Sequence, residues 1–388
     1  MTSIRNAASG HPDARPRPPR WAGKGAAALL IYLLLFSTLF FGGSWLISPD
    51  PDVSANQAVA VTTHDGRRVV VVGYGRDGAK GMFQLAFQPL FQTRLAALDV
   101  DTGERIWDVR LDEKLSNDVR VLAAADGLVY LATDQGLHIR SLVDGSAVAK
   151  PDAIAGLGDG YVAELGSYDV DPERRLIVAI DQSGELWQLR FGESVAVPAD
   201  PGTEAAWRPV LADNFRFALS LPETANEAGL GDGTVIAAEP LRAGAQKKRL
   251  ERQGPSGNTV LGDTTYVEPR FVLDASRSLA DVDPVNGHPV QLAAGRESGQ
   301  VIVVSSVDPN SRSYRVDTVD LDSGEVRGTA DLAVRYPVGG GYSGAGLTAI
   351  VVERADGSSA SDTVLVVSPD GGIRSVRVGA TNFFGWPR

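Results

Sequence analysis

After residue 56 the chain alternates short apolar runs with clusters of turn-forming residues. The runs 68–73 (RVVVVG), 129–133 (VYLAT), 176–180 (LIVAI), 301–305 (VIVVS) and 363–367 (TVLVV) are rich in β-branched side chains and read as strands. No long stretch of this region repeats its apolar positions every 3.6 residues. That excludes parallel α/β architectures, in which a helix follows each strand. The one long apolar segment lies earlier. Residues 26–47 (AAALLIYLLLFSTLFFGGSWLI) carry no charge and are long enough for a helix to cross the ~30 Å hydrocarbon core of a bilayer.

Several strand–turn–strand units are near copies. Residues 94–111 (RLAALDVDTGERIWDVRL) and 313–332 (SYRVDTVDLDSGEVRGTADL) each run a strand into Asp, turn on Asp-Thr-Gly-Glu or Asp-Ser-Gly-Glu, and begin a second strand. Shorter versions are 138–148, 362–378 with its Pro369-Asp370-Gly371 turn, and 279–292 with Asn286-Gly287. Glycine supplies the positive φ such turns need, and Asp or Ser bonds back to the turn backbone. The turn glycines at 103, 145, 287, 324 and 371 leave one long gap, which turns near Gly192 and at Gly231-Asp232-Gly233 would fill. A period of ~40–50 residues with several strands per unit predicts an all-β β-propeller of about seven, alternatively eight, four-stranded blades. A strand near residue 60 is expected to complete the last blade.

Residues 129–145 (VYLATDQGLHIRSLVDG) and 94–111 resemble quinoprotein-type (PQQ-like) propeller repeats, with Trp107 at the repeat's tryptophan position. The match spreads over 57–380 and is poor over 201–280, where 244–258 (GAQKKRLERQGPSGN) reads as a polar insertion. That family includes quinone-dependent dehydrogenases and non-enzymatic scaffolds. The resemblance implies the non-enzymatic branch, because such enzymes are longer, carry many docking tryptophans and often a vicinal cysteine pair. Here cysteine is absent. No residue can be matched to a quinone or calcium ligand.

Charge sets orientation. Arg5, Arg15, Arg17, Arg20 and Lys24 precede the apolar run against Asp13 alone, and Asp50 and Asp52 follow it. The positive-inside rule places the N-terminus in the cytoplasm and the rest outside. The chain divides into a basic cytoplasmic tail (1–25), a transmembrane signal-anchor helix (26–47), a linker (48–56) and a propeller domain (57–388). A cleavable signal peptide is the alternative, with Val53-Ser54-Ala55 as its small-residue site, although signal h-regions run only ~7–15 residues. The formal net charge is −11; the first 47 residues carry +4, which leaves −15 for the remainder. That balance argues against a nucleic-acid partner. The abundance of Ala, Gly, Val and Arg suits a GC-rich bacterial genome.

Candidate chemistry is sparse. Gly73-Tyr74-Gly75-Arg76-Asp77-Gly78 spells G-x-G-x-x-G, but no βαβ succession follows, so it reads as a long loop between two strands. Met82, Phe83, Phe87 and Phe91 make that loop apolar, for core packing or for contact with membrane or partner. Asp-x-Asp pairs at 99/101, 169/171, 281/283 and 320/322 suit turns better than Ca²⁺, since no twelve-residue loop with its terminal Glu surrounds them. His11, His64, His138 and His288 are far apart. Gly341-Tyr342-Ser343-Gly344-Ala345 misses G-x-S-x-G by its last glycine, and no histidine follows His288, so 339–346 reads as a flexible loop. No residue is assigned as catalytic, cofactor-binding or metal-ligating, and no cofactor is expected. The expected function is a membrane-anchored, extracytoplasmic binding or scaffold module of the bacterial cell envelope with a protein partner. The alternative is an enzyme, either a reduced quinoprotein-like oxidoreductase or a propeller hydrolase.

Overall fold

The computed structural model describes residues 22–388 except 113–118, 158–159, 163, 214–223, 276–290, 311–312, 333, 338–339 and 355–361. Helix α1 (Ala22–Ser37) continues through a six-residue π-helical stretch (Thr38–Gly43) into α2 (Ser44–Ile47). Gly25–Ile47 is long and apolar enough to cross a membrane, and the domain covers none of its most apolar window. A helix of this kind near an N-terminus suits either an anchor or a secretory signal.

The rest is strand. The first sheet holds β1 (Asp52–His64), β2 (Arg67–Asp77), β3 (Phe91–Asp99) and β4 (Arg105–Asp112), with the short α3 (Gly81–Phe87) between β2 and β3. The second holds β5 (Val119–Ala125), β6 (Leu128–Thr133), β7 (Gly136–Ser141) and β8 (Ala147–Ala149). The third holds β9 (Tyr168–Asp171), β10 (Leu176–Ile180), β11 (Leu186–Arg190) and β12 (Val197–Pro198), followed by α4 (Pro201–Asp213). A continuous fourth sheet contains β13 (Thr224–Ala225), β14 (Glu227–Gly229), β15 (Val235–Pro240), β16 (Lys247–Gly254), β17 (Gly257–Val272), β18 (Gln300–Ser306), β19 (Tyr314–Asp320) and β20 (Val326–Leu332). The fifth holds β21 (Val334–Pro337), β22 (Tyr342–Gly344), β23 (Leu347–Arg354), β24 (Thr363–Val367) and β25 (Ile373–Arg377). Pairing within the sheets is antiparallel.

Apolar side chains fill the spaces between sheets. Val69, Val71 and Leu95 meet Val121, Val129 and Leu131. Tyr130 and Ile139 meet Tyr168 and Ile177, and Ile302 and Val304 meet Ile350 and Leu365. The last sheet returns to the first, with Val351 and Val364 packed against Val70 and Val72. Antiparallel sheets that follow chain order and close on themselves fit a propeller.

Closure differs from the expected strand exchange. β1 pairs with β2 along its length and adds no strand to the fifth sheet. It meets that sheet by close approach instead: a Cβ on Gly344 would lie 2.6 Å from the Val61 carbonyl oxygen. β1 also starts at Asp52, inside the stretch read as a linker, because Val53 and Ala55 alternate inward and are buried.

The Asp-Gly turns repeat in detail. In each of three, a backbone N–H on the last strand residue and the glycine N–H close the loop: Asp99 N to Glu104 O and Gly103 N to Asp99 O, Ser141 N to Ser146 O and Gly145 N to Ser141 O, Asp320 N to Glu325 O and Gly324 N to Asp320 O, all 2.8–2.9 Å. Gly103, Gly145 and Gly324 have φ of 70–72°, where an L side chain is strained. Asp99 Oδ1 accepts from the N–H groups of Asp101 and Thr102, and Asp320 Oδ1 from those of Asp322 and Ser323. These Asp-x-Asp pairs are therefore turn caps. The 281/283 pair lies outside the described residues.

Trp107 on β4 shows how neighbouring sheets interlock. Its ring packs over Gly145, where a Cβ would sit 2.8 Å from ring atom Cε3. Its indole N–H donates to the Leu142 carbonyl at 2.7 Å, and the residue is 7% exposed.

The regular spacing fails between 200 and 290. The polar stretch 244–258 is no insertion: it contains β16 and the turn into β17, with Leu250 the fully buried side chain. Gly231 and Gly233 sit in a different turn, between β14 and β15. The turn equivalent to Gly103 falls at Gly257. The expected unit 279–292 lies largely outside the described residues. α4 is a further departure. Asp200 caps it through the N–H groups of Gly202 and Thr203, and Trp207 is fully buried with its N–H on Asp171 Oδ2 at 2.9 Å.

Candidate functional site

The axis of the ring is lined by every sheet. A cavity of about 700 Å³ is bordered by Pro172, Leu230, Asp232, Asp274, Arg296 and Ser343. An adjoining one of about 350 Å³ is bordered by Val61, Arg120, Asp126, Arg175 and Tyr342. Both touch Pro172, Ser343, Gly344 and Ala345, so they are two parts of one channel.

Its arginines are each held by an aspartate, while Glu173 and Glu297 also border it. Arg120 reaches Asp169 at 2.7 Å, Arg175 reaches Asp126 at 2.6 Å, and Arg296 reaches Asp274 at 2.6 Å. Arg252 pairs with Asp232. Asp232, exposed and held by the Thr234 hydroxyl and N–H and by Arg252, has its pKa lowered to about 2. Three arginines and five acids border the two cavities, so acidic groups outnumber basic ones and each arginine is fixed by its aspartate. Among the described residues no group of three or more His, Asp or Glu side chains is placed to hold a metal ion.

The sequence motifs fall as follows. Ser343 sits on β22, and its hydroxyl is 3.2 Å from that of Thr348, so its neighbour is an alcohol and not a base. The run expected to be a flexible loop is a tight hairpin, with Ala345 and Gly346 at φ of 51° and 75°. Two successive positive φ values suit the twist of antiparallel strands. Gly73 and Gly75 lie within β2, contrary to the loop expected there. At Gly73 a Cβ would meet Val119 Cγ1 at 2.6 Å, so glycine lets β5 approach. Trp107, the ring a quinone-like reading would offer to a flat cofactor, is covered by the second sheet and turned away from the channel.

His138 lies in a different place, beside a cavity of about 20 Å³ shared with Thr93, Asp112 and Arg140 between the first two sheets. Burial, then the cations Arg140 and Lys150, push its pKa down to about 4. Below pH 6.5 the unfolded chain takes up a proton that the folded chain refuses until about pH 4. Stability is therefore expected to fall as pH drops through that window, by on the order of 3 kcal/mol. Urea midpoints recorded from pH 7.5 to 4 should show the slope, and His138→Leu should flatten it. His11 and His288 are outside the described residues.

Sequence reasoning missed the most elaborate polar cluster, which lies at the end of the apolar helix. Arg76 on β2, 1% exposed, donates to Gly385 O at 2.9 Å and to Gln84 Oε1 at 2.8 Å. Gln84 of α3 in turn donates to the carbonyls of Asn382 and Phe383. Around it the rings of Phe41, Phe83, Phe87, Phe383 and Phe384 stack with centroid distances of 4.8–5.8 Å. Met82 N–H bonds to Ser44 Oγ at 3.0 Å, and Lys80 both pairs with Asp50 and lies over the Trp45 ring. The run of phenylalanines in 82–91 was the available signal.

No protein-family model matches the chain, and no curated protein sequence matches it. Among solved structures, the apo AtxE2 isopeptidase is 10% identical with a TM-score of 0.41, over 87% of this chain and 54% of that one. BamB from Moraxella catarrhalis is 14% identical with a TM-score of 0.22, over 83% and 84%. Chaetomium thermophilum Sqt1, bound to the N-terminus of ribosomal protein L10, is 11% identical with a TM-score of 0.29, over 85% and 100%. The chain spans about half the length of the isopeptidase structure. At these TM-scores the architecture rests on the strand pairing of this chain itself.

Proposed function

We propose that this chain is a single-pass membrane protein of the bacterial cell envelope. The helix 26–47 is an uncleaved anchor with a cytoplasmic N-terminus. A propeller of six blades, one or two fewer than the turn spacing predicts, stands outside as a non-enzymatic binding scaffold for a protein partner. The observation that carries the reading is the junction between helix and domain. α2 is packed into the fold: a Cβ on Gly81 would lie 2.8 Å from the backbone of Trp45, and Phe41 stacks on Phe83. Cleavage at 53–55 would discard that packing and cut into β1, where Val53 and Ala55 are buried. Six blades follow if β17 is shared between two halves of the fourth sheet, each with its own third-to-fourth turn. Those turns lie at Gly103, Gly145, Gly192, Gly257, Gly324 and Gly371. Scaffolding is favoured because the channel's paired arginines and aspartates leave shape and fixed charge for recognition.

Intact mass and N-terminal sequencing of the membrane-bound protein are expected to return an uncut N-terminus. Protease added to intact spheroplasts should digest residues beyond 48 and spare the tail. A mature chain starting near residue 56, or a protected C-terminal domain, would overturn the anchor or its orientation. Affinity purification from detergent extracts should recover a stoichiometric envelope protein, and a chain isolated alone would count against the scaffold.

A further inference from the structure

We propose that α3 and the turn at 382–386 form an apolar foot that inserts into the interface of the bilayer holding the anchor, fixing the tilt of the propeller on the membrane. The inference rests on the anchor reading above, and its occupant is lipid.

Depth is the first argument. The partners of α3 on the helix are Phe41, Ser44 and Trp45. Phe41 precedes the helix end at Ile47 by six residues, about 9 Å at 1.5 Å per residue. If the helix spans the bilayer up to Ile47, whatever packs beside Phe41 and Trp45 sits at the depth of the acyl–headgroup boundary.

The second argument is an inverted pattern. On a helix at a water-facing surface, polar side chains point out and apolar ones in. In α3 the polar Gln84 is fully buried, while Leu85 and Phe87 are 47% and 67% exposed. Leu90, Phe384 and Trp386 are exposed beside it, as are Leu46 and Ile47 of the anchor. The aromatic stack from Phe41 through Phe83 to Phe384 joins these groups to the helix.

Charge is the third. Residues 81–93 (GMFQLAFQPLFQT) and 379–387 (GATNFFGWP) carry none, although residues 48–388 carry −15 in all. An acidic domain is repelled by anionic headgroups. Two uncharged, aromatic segments meeting at the anchor give it one face that is not. Aromatic side chains are the residues that prefer this interface.

A chain without cysteine accepts single labels cleanly. Leu85→Cys, Phe87→Cys and Trp386→Cys, each spin-labelled in the full-length protein, would be placed in nanodiscs of phosphatidylethanolamine and phosphatidylglycerol. Val143→Cys, on an exposed turn of the second sheet, and Leu34→Cys, within the anchor, are the references. At the foot, collision with oxygen is expected to exceed collision with a water-soluble nickel complex several-fold, with the reverse at Val143→Cys. Foot labels as open to nickel as Val143→Cys, while Leu34→Cys reports hydrocarbon, would overturn the foot and leave the anchor standing. A foot closed to both probes, or dipolar broadening between copies, would also overturn it by putting protein in place of lipid. Water exposure at Leu34→Cys would remove the anchor reading and the foot together.

Discussion

Trp107→Ala is expected to cost ~3–5 kcal/mol of folding stability, the range for truncating a buried tryptophan. The ring is held between its own sheet and Gly145 of the next sheet, whose lack of a Cβ makes the contact possible. The loss combines the cavity with an unpaired carbonyl at Leu142, which the indole N–H now satisfies. A domain's net stability is only ~5–15 kcal/mol, so the variant should unfold much earlier and accumulate poorly. Trp107→Phe keeps part of the packing and loses the hydrogen bond, so it should fall between. Urea unfolding of the detergent-solubilised full chain measures all three. A Trp107→Ala midpoint equal to wild type would show that the two sheets do not depend on this ring.

The second large effect is expected at Gln84. Gln84→Leu matches the volume but leaves the Arg76 guanidinium without one acceptor, and the carbonyls of Asn382 and Phe383 without their donor. Unsatisfied buried polar groups cost ~1–3 kcal/mol each, and more when charged, so a loss of ~2–4 kcal/mol is expected. Burial already lowers the pKa of Arg76, a sign of how few groups solvate its charge. The effect should be local. Hydrogen exchange should quicken at Asn382, Gly385 and Arg388, whose N–H groups bond within the C-terminal turn, while β24 and β25 stay protected. Uniform loss of protection over all five sheets would mean that Gln84 supports the whole ring and not the foot alone.

What was legible in the sequence is what repeats or stands alone. The apolar run before residue 48 needs no context. The Asp-Gly turns were readable because each solves the same problem with the same residues, and Trp107 because it follows one of them on the next strand. β16 was unreadable: Lys-Lys-Arg-Leu-Glu-Arg-Gln has a single fully buried side chain, Leu250, so it shows no apolar alternation although its hairpin partners on β15 and β17 are adjacent in sequence. α4 was not anticipated: its cap, Asp200 followed by Pro201 at the first helical position, stands alone amid strands with no repeat to mark it. The foot was misread for a physical reason. The segment was read as a loop because no βαβ succession follows, whereas Gly81 and Pro89 bracket a helix: Gly81 opens it at φ 72° and Pro89 follows its last turn. That Gln84 faces inward and Phe87 outward inverts the usual pattern of a surface helix, in a segment that packs beside the N-terminal apolar helix.

The hydrogen bond from Arg76 to Gly385 joins residues 309 positions apart. At ~5–20 residues per second of synthesis, the carbonyl arrives roughly 15–60 s after the guanidinium that needs it. Throughout that interval the Arg76 guanidinium of the first sheet has no Gly385 carbonyl to bond. The ring can settle on its foot only once residues 382–386 have left the ribosome. A chain that stops short of residue 382, even one holding every described strand, is left with an open foot.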